Sequence, residues 1–513
     1  MPRLSFVVPV YNPDRTVFDA HVRSIIEQSF EDWEAIYVLD GEQPTAKSVL
    51  DSYLKSKEKR FRAAGEKIRY ISIPHGGAPT ARNAGKSLIS GSSEFVSFFD
   101  CDSQIEPGAS EAWIRMFDRH KDALFVYAGY KFSKDEGAVP TLPWSPDMLR
   151  VRNYISGHFP VRRAYCPDWA PELKSLQDWD FWLSVLDRAE KDGLDTHKIG
   201  KMMLGYAFKT EAPKAGSISG EGCKDEVWLE RMDAVKKRHN IPERETCVAS
   251  IGNMDEGLRL ARFIGADFWP YPGDKPNRYK TMIQVGYSLK QDKQEAHATI
   301  FQKAADARKV IFWTAQDIDE MWTTVNLSTL KAYEKLFSSS DFEHYCEDKK
   351  AKDMLADAGI KAEILPIPLS DGPRLHAFPE KPRILVEYGD EYRDLMVALN
   401  VALPDYQVDV VKPDVKRDIR DYTALVHFYR DRSMSNSVKR AHLTGRHVIS
   451  NIQQPFCGYV NDKDNSEVAL KDIVHKIRSL ATAQVNEKAA NYYAKALSPE
   501  AVRSKFAPKE VAA

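Results

Sequence analysis

The sequence predicts an α/β protein: a mainly parallel sheet covered by helices at the N-terminal end, then two smaller Rossmann-like units. Two observations carry that expectation. Short apolar, β-branched or aromatic runs alternate with helix-spaced patterns, as strands buried on both faces do. A polar, charged stretch near residues 238–250, including Asn240-Ile241-Pro242-Glu243-Arg244-Glu245-Thr246, interrupts this alternation, which then restarts independently. With 513 residues the chain exceeds what one core organises. Division into 1–240, 246–378 and 379–513 is therefore expected, with the second break near Phe378-Pro379-Glu380-Lys381-Pro382.

In order, Leu4 to Val10 reads as a buried strand, Asn12 as a helix cap and Pro13 as a first helical residue. Phe18, Val22, Ile25 and Ile26 follow at helix spacing. The second strand, Glu34 to Leu39, ends on Asp40-Gly41, and a charged helical stretch, Ser48 to Ala63, leads to strand Ile68 to Ile73. The loop His75 to Pro79 opens a helix near Thr80, and strand Phe95 to Phe99 stops at Asp100-Cys101-Asp102. Open α/β sheets bind ligands beyond the carboxyl ends of their strands, so Asp40, Asp100 and Asp102 are expected to share one crevice. In the second half, strands are expected at Lys309 to Thr314, Asp341 to Tyr345, Glu363 to Pro366, Arg383 to Tyr388, Gln407 to Val411, Ala424 to Phe428 and His447 to Asn451, with a helix from Lys349 to Ala358.

Bulk composition narrows the function. Charged residues at 29% and hydrophobic residues at 43% describe an ordinary folded protein, and a formal charge of -1 argues against a nucleic-acid partner without excluding a basic face. Six cysteines without CxxC spacing fit neither a zinc site nor a disulfide framework and point to a reducing compartment. The first apolar run is too short for a signal peptide, and no stretch offers the roughly 20 apolar residues of a membrane span, so a cytoplasmic enzyme is expected.

Carboxylates two residues apart at a strand end can hold a hard divalent cation that bridges phosphate oxygens. Asp100 and Asp102 have that spacing and position, although Asp-x-Asp alone also marks solvated turns. Order supplies the context: Val8-Pro9-Val10-Tyr11-Asn12, Gln28-Ser29-Phe30-Glu31-Asp32-Trp33-Glu34, Leu39-Asp40-Gly41, Ala81-Arg82-Asn83-Ala84-Gly85 and Phe98-Phe99-Asp100-Cys101-Asp102. As a set these resemble the family 2 inverting glycosyltransferases of GT-A fold over roughly residues 3–220.

The resemblance implies a nucleotide-sugar donor, UDP-linked or related, a divalent metal (Mn2+ or Mg2+) and a glycan or other hydroxyl acceptor. It places Pro9, Tyr11 and Asp40 at the nucleoside, Arg82 and Asn83 beside the nucleotide, and Asp100 and Asp102 as the ribose and metal carboxylates. Read singly, Asp40 is also a turn former, Arg82 a surface ion pair and Asn83 a helix cap. Leu176-Gln177-Asp178-Trp179-Asp180-Phe181-Trp182-Leu183 is similar to the family's Glu-Asp segment, with Gln177 where Glu is common and Asp178 as general base. Asp180 is the alternative, as a helix cap or a partner of Arg188. Trp179 or Trp182 could stack on a sugar ring, core packing being the alternative for Trp182. Tyr206 to Glu211 with Ser217-Ile218-Ser219 is similar to the segment that closes over the diphosphate, with Lys209 where an Arg or His is usual.

The second half faintly resembles the two lobes of GT-B glycosyltransferases through Phe312 to Asp317, Cys346 to Leu369 and Ala441 to Ser450, with Lys439 or a neighbour where a donor-binding acid is usual. Three roles follow: a second active transferase, a degenerate acceptor-binding module or an assembly scaffold. His427, Arg430 and Arg432 form a candidate anion site or a solvated basic loop. Two other function classes stay open for the whole chain: a DNA-modifying glycosyltransferase whose second half grips a duplex, and a non-catalytic carbohydrate-binding or assembly protein.

Overall fold

The computed structural model describes residues 1–133, 137–211, 225–250, 252–270, 279–288, 306–314, 317–318, 321, 331, 334–335, 337, 341–367, 375–411, 417–429, 435–461, 466–480 and 482–506. The chain separates into two compact units, Met1–Glu243 and Arg244–Ala513. Among the described residues, no helix is long and apolar enough to cross a membrane.

The first unit runs β1 (Leu4–Val10), α1 (Arg15–Ile26), β2 (Trp33–Asp40), α2 (Pro44–Leu54), α3 (Lys59–Gly65), β3 (Ile68–Ile73), α4 (Ala78–Lys86), β4 (Phe95–Phe98), β5 (Ser103–Ile105), α5 (Ala109–Arg119), β6 (Phe125–Phe132), β7 (Ala138–Val139), α6 (Pro146–Val151), β8 (Val161–Arg162), α7 (Gln177–Lys191), β9 (Gly200–Thr210) and α8 (Asp225–Arg238). Its sheet has the order β3-β2-β1-β4-β8-β6-β9-β5, with β7 on β6. The first four strands are parallel. Chain order reverses between β1 and β4, and a crevice forms where the connections on either side of such a point diverge.

Pro9 shows how the sequence opens that crevice. The Val7 carbonyl accepts from the Phe99 N–H at 3.0 Å, so β1 turns the backbone of Val7, and of Pro9 two residues on, toward β4. Pairing with β4 ends at Val7↔Phe98. The donor that proline lacks thus falls where β4 has already left the ladder. Glycine at 85 fixes the layer above: a Cβ there would lie 2.4 Å from Val7 Cγ1 and 3.0 Å from Val38 Cγ2, so α4 sits directly on β1 and β2.

Several local expectations are corrected. Asp14, not Asn12, caps α1, its carboxylate accepting from the Thr16 and Val17 N–H groups. Asn12 instead takes a left-handed φ of 43° and donates its N–H to Gln43 Oε1 at 2.7 Å. The single helix expected over Ser48 to Ala63 is two, α2 and α3, separated at Lys55–Glu58. Glu34, a charged residue in a buried strand, is satisfied by Ser5 Oγ at 2.6 Å, the Ser90 N–H at 2.6 Å and Arg69 at 2.9 Å.

The second unit contains two parallel sheets. One is built from β10 (Thr246–Ser250), β11 (Asp267–Trp269), β12 (Thr281–Val285), β13 (Arg308–Trp313), β14 (Phe342–Cys346) and β15 (Ala362–Ile364), in the order β11-β10-β12-β13-β14-β15. The other is built from β16 (Arg383–Tyr388), β17 (Gln407–Val411), β18 (Ala424–Phe428), β19 (His447–Ser450) and β20 (Cys457–Tyr459), in the order β17-β16-β18-β19-β20. Each order is that of a doubly wound sheet. Its helices among the described residues include α9 (Met254–Ile264), α10 (Lys349–Asp357), α11 (Arg393–Ala402), α12 (Asn436–Leu443), α13 (Ser466–Ser479), α14 (Glu487–Ala496) and α15 (Pro499–Phe506). β10, in the stretch read as polar linker, was hidden because its five residues follow a charged run. β12 was hidden because Gln284, fully buried, breaks its apolar pattern. After the second sheet, α15 returns to the first: Arg308 donates to the Lys505 carbonyl at 3.0 Å, and Phe506 meets Tyr345 edge-on.

In the first unit α8 is tied to α7 by a buried charge cluster. His239 lies 2.9 Å from Asp180 and 2.6 Å from Asp187, and Arg238 Nε is 2.9 Å from Asp180. Asp180 therefore anchors α7 from behind rather than pairing with Arg188, which donates to the Cys166 carbonyl. Burial works against the charged His239 ring, but its bonds to Asp180 and Asp187 prevail and raise it to about 9. A base raised on folding stabilises the fold fully below its ordinary value of about 6.5, and that contribution disappears as pH rises through about 9. With Asp187 partly in solvent, the contribution is about 1–2 kcal/mol. The His239→Gln variant should denature earlier than wild type in urea at pH 6, and the difference should shrink at pH 9.5; an equal gap at both pH values would show that the ring's charge stabilises nothing.

Candidate functional site

Four strand ends of the first unit meet at the crevice. Asp40, ending β2, is buried, and its oxygens accept from the N–H groups of Gly76 at 2.7 Å and Gly77 at 3.0 Å, with His75 Nδ1 at 3.0 Å. That carboxylate thereby shapes the loop after β3. Tyr11, 59% exposed at the end of β1, stacks on the His75 ring at 4.6 Å. Pro9 itself is buried in β1 and reaches the crevice only through backbone shape.

The centre is a charge cluster around Arg82 on α4. This buried side chain donates to Asp100 Oδ1 at 2.7 Å and Gln177 Oε1 at 3.3 Å, and its guanidinium lies 4.2 Å from the Trp169 ring centre. Burial opposes its charge, but Asp100, Asp178 and Asp102 together outweigh that and hold it firmly protonated. One arginine thus ties the turn between β4 and β5 to the first residue of α7. Gln177, the departure from the family's Glu, serves as an acceptor for that arginine.

The two aspartates after β4 are pushed apart. Burial alone would raise Asp100, but Arg82 and His158 hold it below the usual carboxylate range. Asp102 sits at the solvent-facing lip, yet confinement by protein and then the charge of Asp100 push its carboxyl up. Two acids two residues apart make an oxygen-only donor pair that suits a hard cation. Among the described residues no group of three or more His, Cys, Asp or Glu forms a closed metal cage. A cation held by Asp100 and Asp102 would therefore take its remaining ligands from water and phosphate oxygens.

Asp178 is the second residue of α7, which begins after Leu176, whose φ of 58° turns the chain sharply into the helix. Its Oδ2 accepts from the Gly157 N–H at 2.8 Å. A Cβ at Gly157 would fall 2.9 Å from Asp178 Oδ1, so only glycine lets the loop seat this carboxylate. The two indoles beside it are not available to a sugar: Trp179 and Trp182 are buried, and Trp179 Nε1 donates to the Leu149 carbonyl at 2.5 Å. Asn83 is likewise engaged internally, clamping the backbone of Trp169 by donating to its carbonyl at 2.9 Å and accepting from its N–H at 2.8 Å. Its effect on the crevice is indirect, through the ring beneath Arg82.

Lys209 is exposed on β9, opposite Gln104 of β5 and Lys131 of β6. Its neighbour Thr210 accepts from Ser103 Oγ at 2.9 Å, which places β9 beside the Asp102 turn. Residues 217–219, Arg430 and Arg432 lie outside the described residues, and His427 is buried.

The sequence reading missed His158. Its Nε2 lies 3.0 Å from Ser103 Oγ and 3.7 Å from Asp100 Oδ2, and its Nδ1 is 2.5 Å from Ser156 Oγ. No local pattern marks it, because its importance arises from β8 running antiparallel beside β4. His21, also unsingled, is a core residue: burial lowers it to about 4, and its Nδ1 lies 2.7 Å from the Ser103 carbonyl.

Removing Arg82 should leave Asp100 without its counter-charge. Arg82→Met is expected to cost about 1–3 kcal/mol, moderated because 36% of the Asp100 side chain stays exposed. The Arg82→Met/Asp100→Asn double variant should recover part of the loss in a guanidinium-denaturation cycle, whereas strictly additive effects would mean the pair is not coupled.

Residues 5–165 match the model described as Glycosyl transferase family 2. A putative teichuronic acid biosynthesis glycosyltransferase, TuaG of Bacillus subtilis, is 26% identical over 213 residues, 40% of this chain and 79% of that protein. An uncharacterized protein, y4gI of Sinorhizobium fredii, is 26% identical over 214 residues, 40% of this chain. The chain spans only 22% of that relative's length. The crystal structure of S. aureus TarS 1-349 in complex with UDP-GlcNAc aligns with 60% of this chain and 84% of that one, at 17% identity and a TM-score of 0.38. The strand-end crevice of the first unit lies largely within the matched segment, and residues 5–165 belong to glycosyltransferase family 2.

Proposed function

We propose that the first unit is an inverting, metal-dependent glycosyltransferase that moves a sugar from a nucleotide-sugar donor, UDP-linked, to a hydroxyl of a glycan. The observation that carries this reading is the pair of bonds from Arg82 to Asp100, two residues before Asp102, and to Gln177, the residue before Asp178. The family of residues 5–165 supports the reaction class, and the description of TuaG as a teichuronic acid biosynthesis glycosyltransferase supports a glycan acceptor.

In this reading the exposed Tyr11 ring and the loop held by Asp40 receive the nucleoside. Asp100 and Asp102 would hold the divalent cation, which neutralises charge on the departing diphosphate. Asp178 accepts the proton of the acceptor hydroxyl as its oxygen bonds to the anomeric carbon. The bond from that carbon to the diphosphate oxygen breaks on the opposite face, and configuration inverts. The Gly157 N–H holds the Asp178 carboxylate in place, and catalysis by this residue depends on position within hydrogen-bond reach. Lys209 offers a point charge beside the diphosphate. The three-part division at residues 240, 246 and 378 belongs to the same proposal, with catalysis confined to the first part.

A thermal-shift panel of nucleotide sugars with Mn2+ or Mg2+ identifies the donor, because a ligand bound only by the folded state raises its apparent stability. With that donor and a glycan panel, Asp178→Asn should keep the thermal shift but lose roughly 10²–10⁴-fold in transfer. Asp102→Ala should lose both the metal-dependent shift and transfer. Wild-type turnover in either variant would refute the role given to that residue.

A further inference from the structure

The second unit contains a cleft of about 900 Å³ that the transferase chemistry does not use. Its size falls within the roughly 300–1,000 Å³ of small-molecule sites. One wall is the exposed face of α10. Lys349, Asp353 and Asp357 recur at i, i+4 and i+8, joined by Lys350 and Met354, while Ala351 and Leu355 bury the opposite face. The facing wall comes from the carboxyl ends of the second sheet: Glu391 after β16, Asn451 and Gln453 after β19, and Tyr459 at the end of β20. That edge is where doubly wound sheets bind ligands.

The two walls are locked together. Lys439 of α12 is fully buried and pairs with Glu347, just before α10, while donating to the Ile367 carbonyl at 3.1 Å. Arg259 of α9 adds a second tie, donating to Asn436 Oδ1 at 3.1 Å. The cleft is also braced from within: Asn451 donates to the Tyr392 hydroxyl at 3.1 Å and the Tyr429 carbonyl at 2.9 Å. A pre-formed cleft costs little to order when a ligand enters.

We infer that this cleft is a second binding site and that it takes a neutral oligosaccharide. The described lining residues carry three carboxylates and two ammonium groups, a balance that disfavours a nucleoside diphosphate. Sugar hydroxyls both donate and accept, and so suit a wall that mixes carboxylates, amine and amide. Tyr459, 43% exposed, presents a ring to the apolar face of a pyranose. Lys439 cannot serve as a donor-sugar ligand, because its ammonium is committed to Glu347. The choice of a sugar as ligand rests on the transferase reading of the first unit, whereas the cleft's existence does not.

Saturation-transfer NMR of the full chain with chitotetraose, maltotetraose and laminaritetraose tests the inference. At least one tetraose should receive saturation from wild type and equally from Asp102→Asn, with the effect falling at least fivefold in Tyr459→Ala and in Gln453→Ala. Both substituted side chains are exposed, and an unchanged circular dichroism spectrum checks the fold. Saturation of none of the three, survival of the signal in Tyr459→Ala plus Gln453→Ala, or its displacement by UDP in Asp102→Asn would each overturn the site. Loss of signal only in Asp102→Asn would place the sugar in the first unit and also overturn it. Failure of donor shifts with tetraose binding intact would instead refute the transferase reading alone.

Discussion

The ion pair between the buried Arg82 and the half-buried Asp100 is the interaction on which the first unit's crevice depends. It joins a helix packed directly on the sheet to the end of a central strand, and through Gln177 it reaches the start of α7. A buried guanidinium without carboxylates would be costly, and three carboxylates without it would repel one another. The cluster therefore fixes where charge can sit before any ligand arrives. Around it the backbone is made to fit by Pro9, where no ladder donor is needed, and by Gly85 and Gly157, where a side chain would obstruct.

Much of this was legible in the chain. The largely apolar, β-branched or aromatic runs ending on Asp40 and on Asp100 revealed parallel strands and their functional ends, because strands buried on both faces carry a near-continuous apolar signal. Ala81 to Gly85 was legible as a motif but not as mechanism: Asn83 turns out to grip the backbone of Trp169, and Gly85 answers to Val7 and Val38. Those are contacts between distant segments, and local sequence carries no trace of them. His158 escaped for the same reason. Asn12 misled because a capping residue followed by proline looks like a helix start, yet Asp14, two residues further on, satisfies two N–H groups.

The second unit repeats the lesson with opposite charge. Where a donor-binding acid was sought, Lys439 is buried and neutralised by Glu347, so the substitution became a structural lock between two sheets. Both sheets are doubly wound, and the strands expected at Arg383, Gln407 and Ala424 occur there, while β10, β11, β12 and β20 are too short or too polar to announce themselves. The contrast between the units is chemical: an acidic crevice in one and a mixed-charge cleft in the other.

The central claim is that Asp100 and Asp102 receive the cation and diphosphate while Asp178 faces the acceptor. A crystal structure of the full chain with Mn2+ and the donor that shifts its stability tests this most directly. The account predicts an anomalous manganese peak within coordination distance of an Asp102 oxygen, with the diphosphate against it and Asp178 on the opposite side of the anomeric carbon. Manganese bound away from both aspartates, or a diphosphate lying on the Asp178 side, would contradict it.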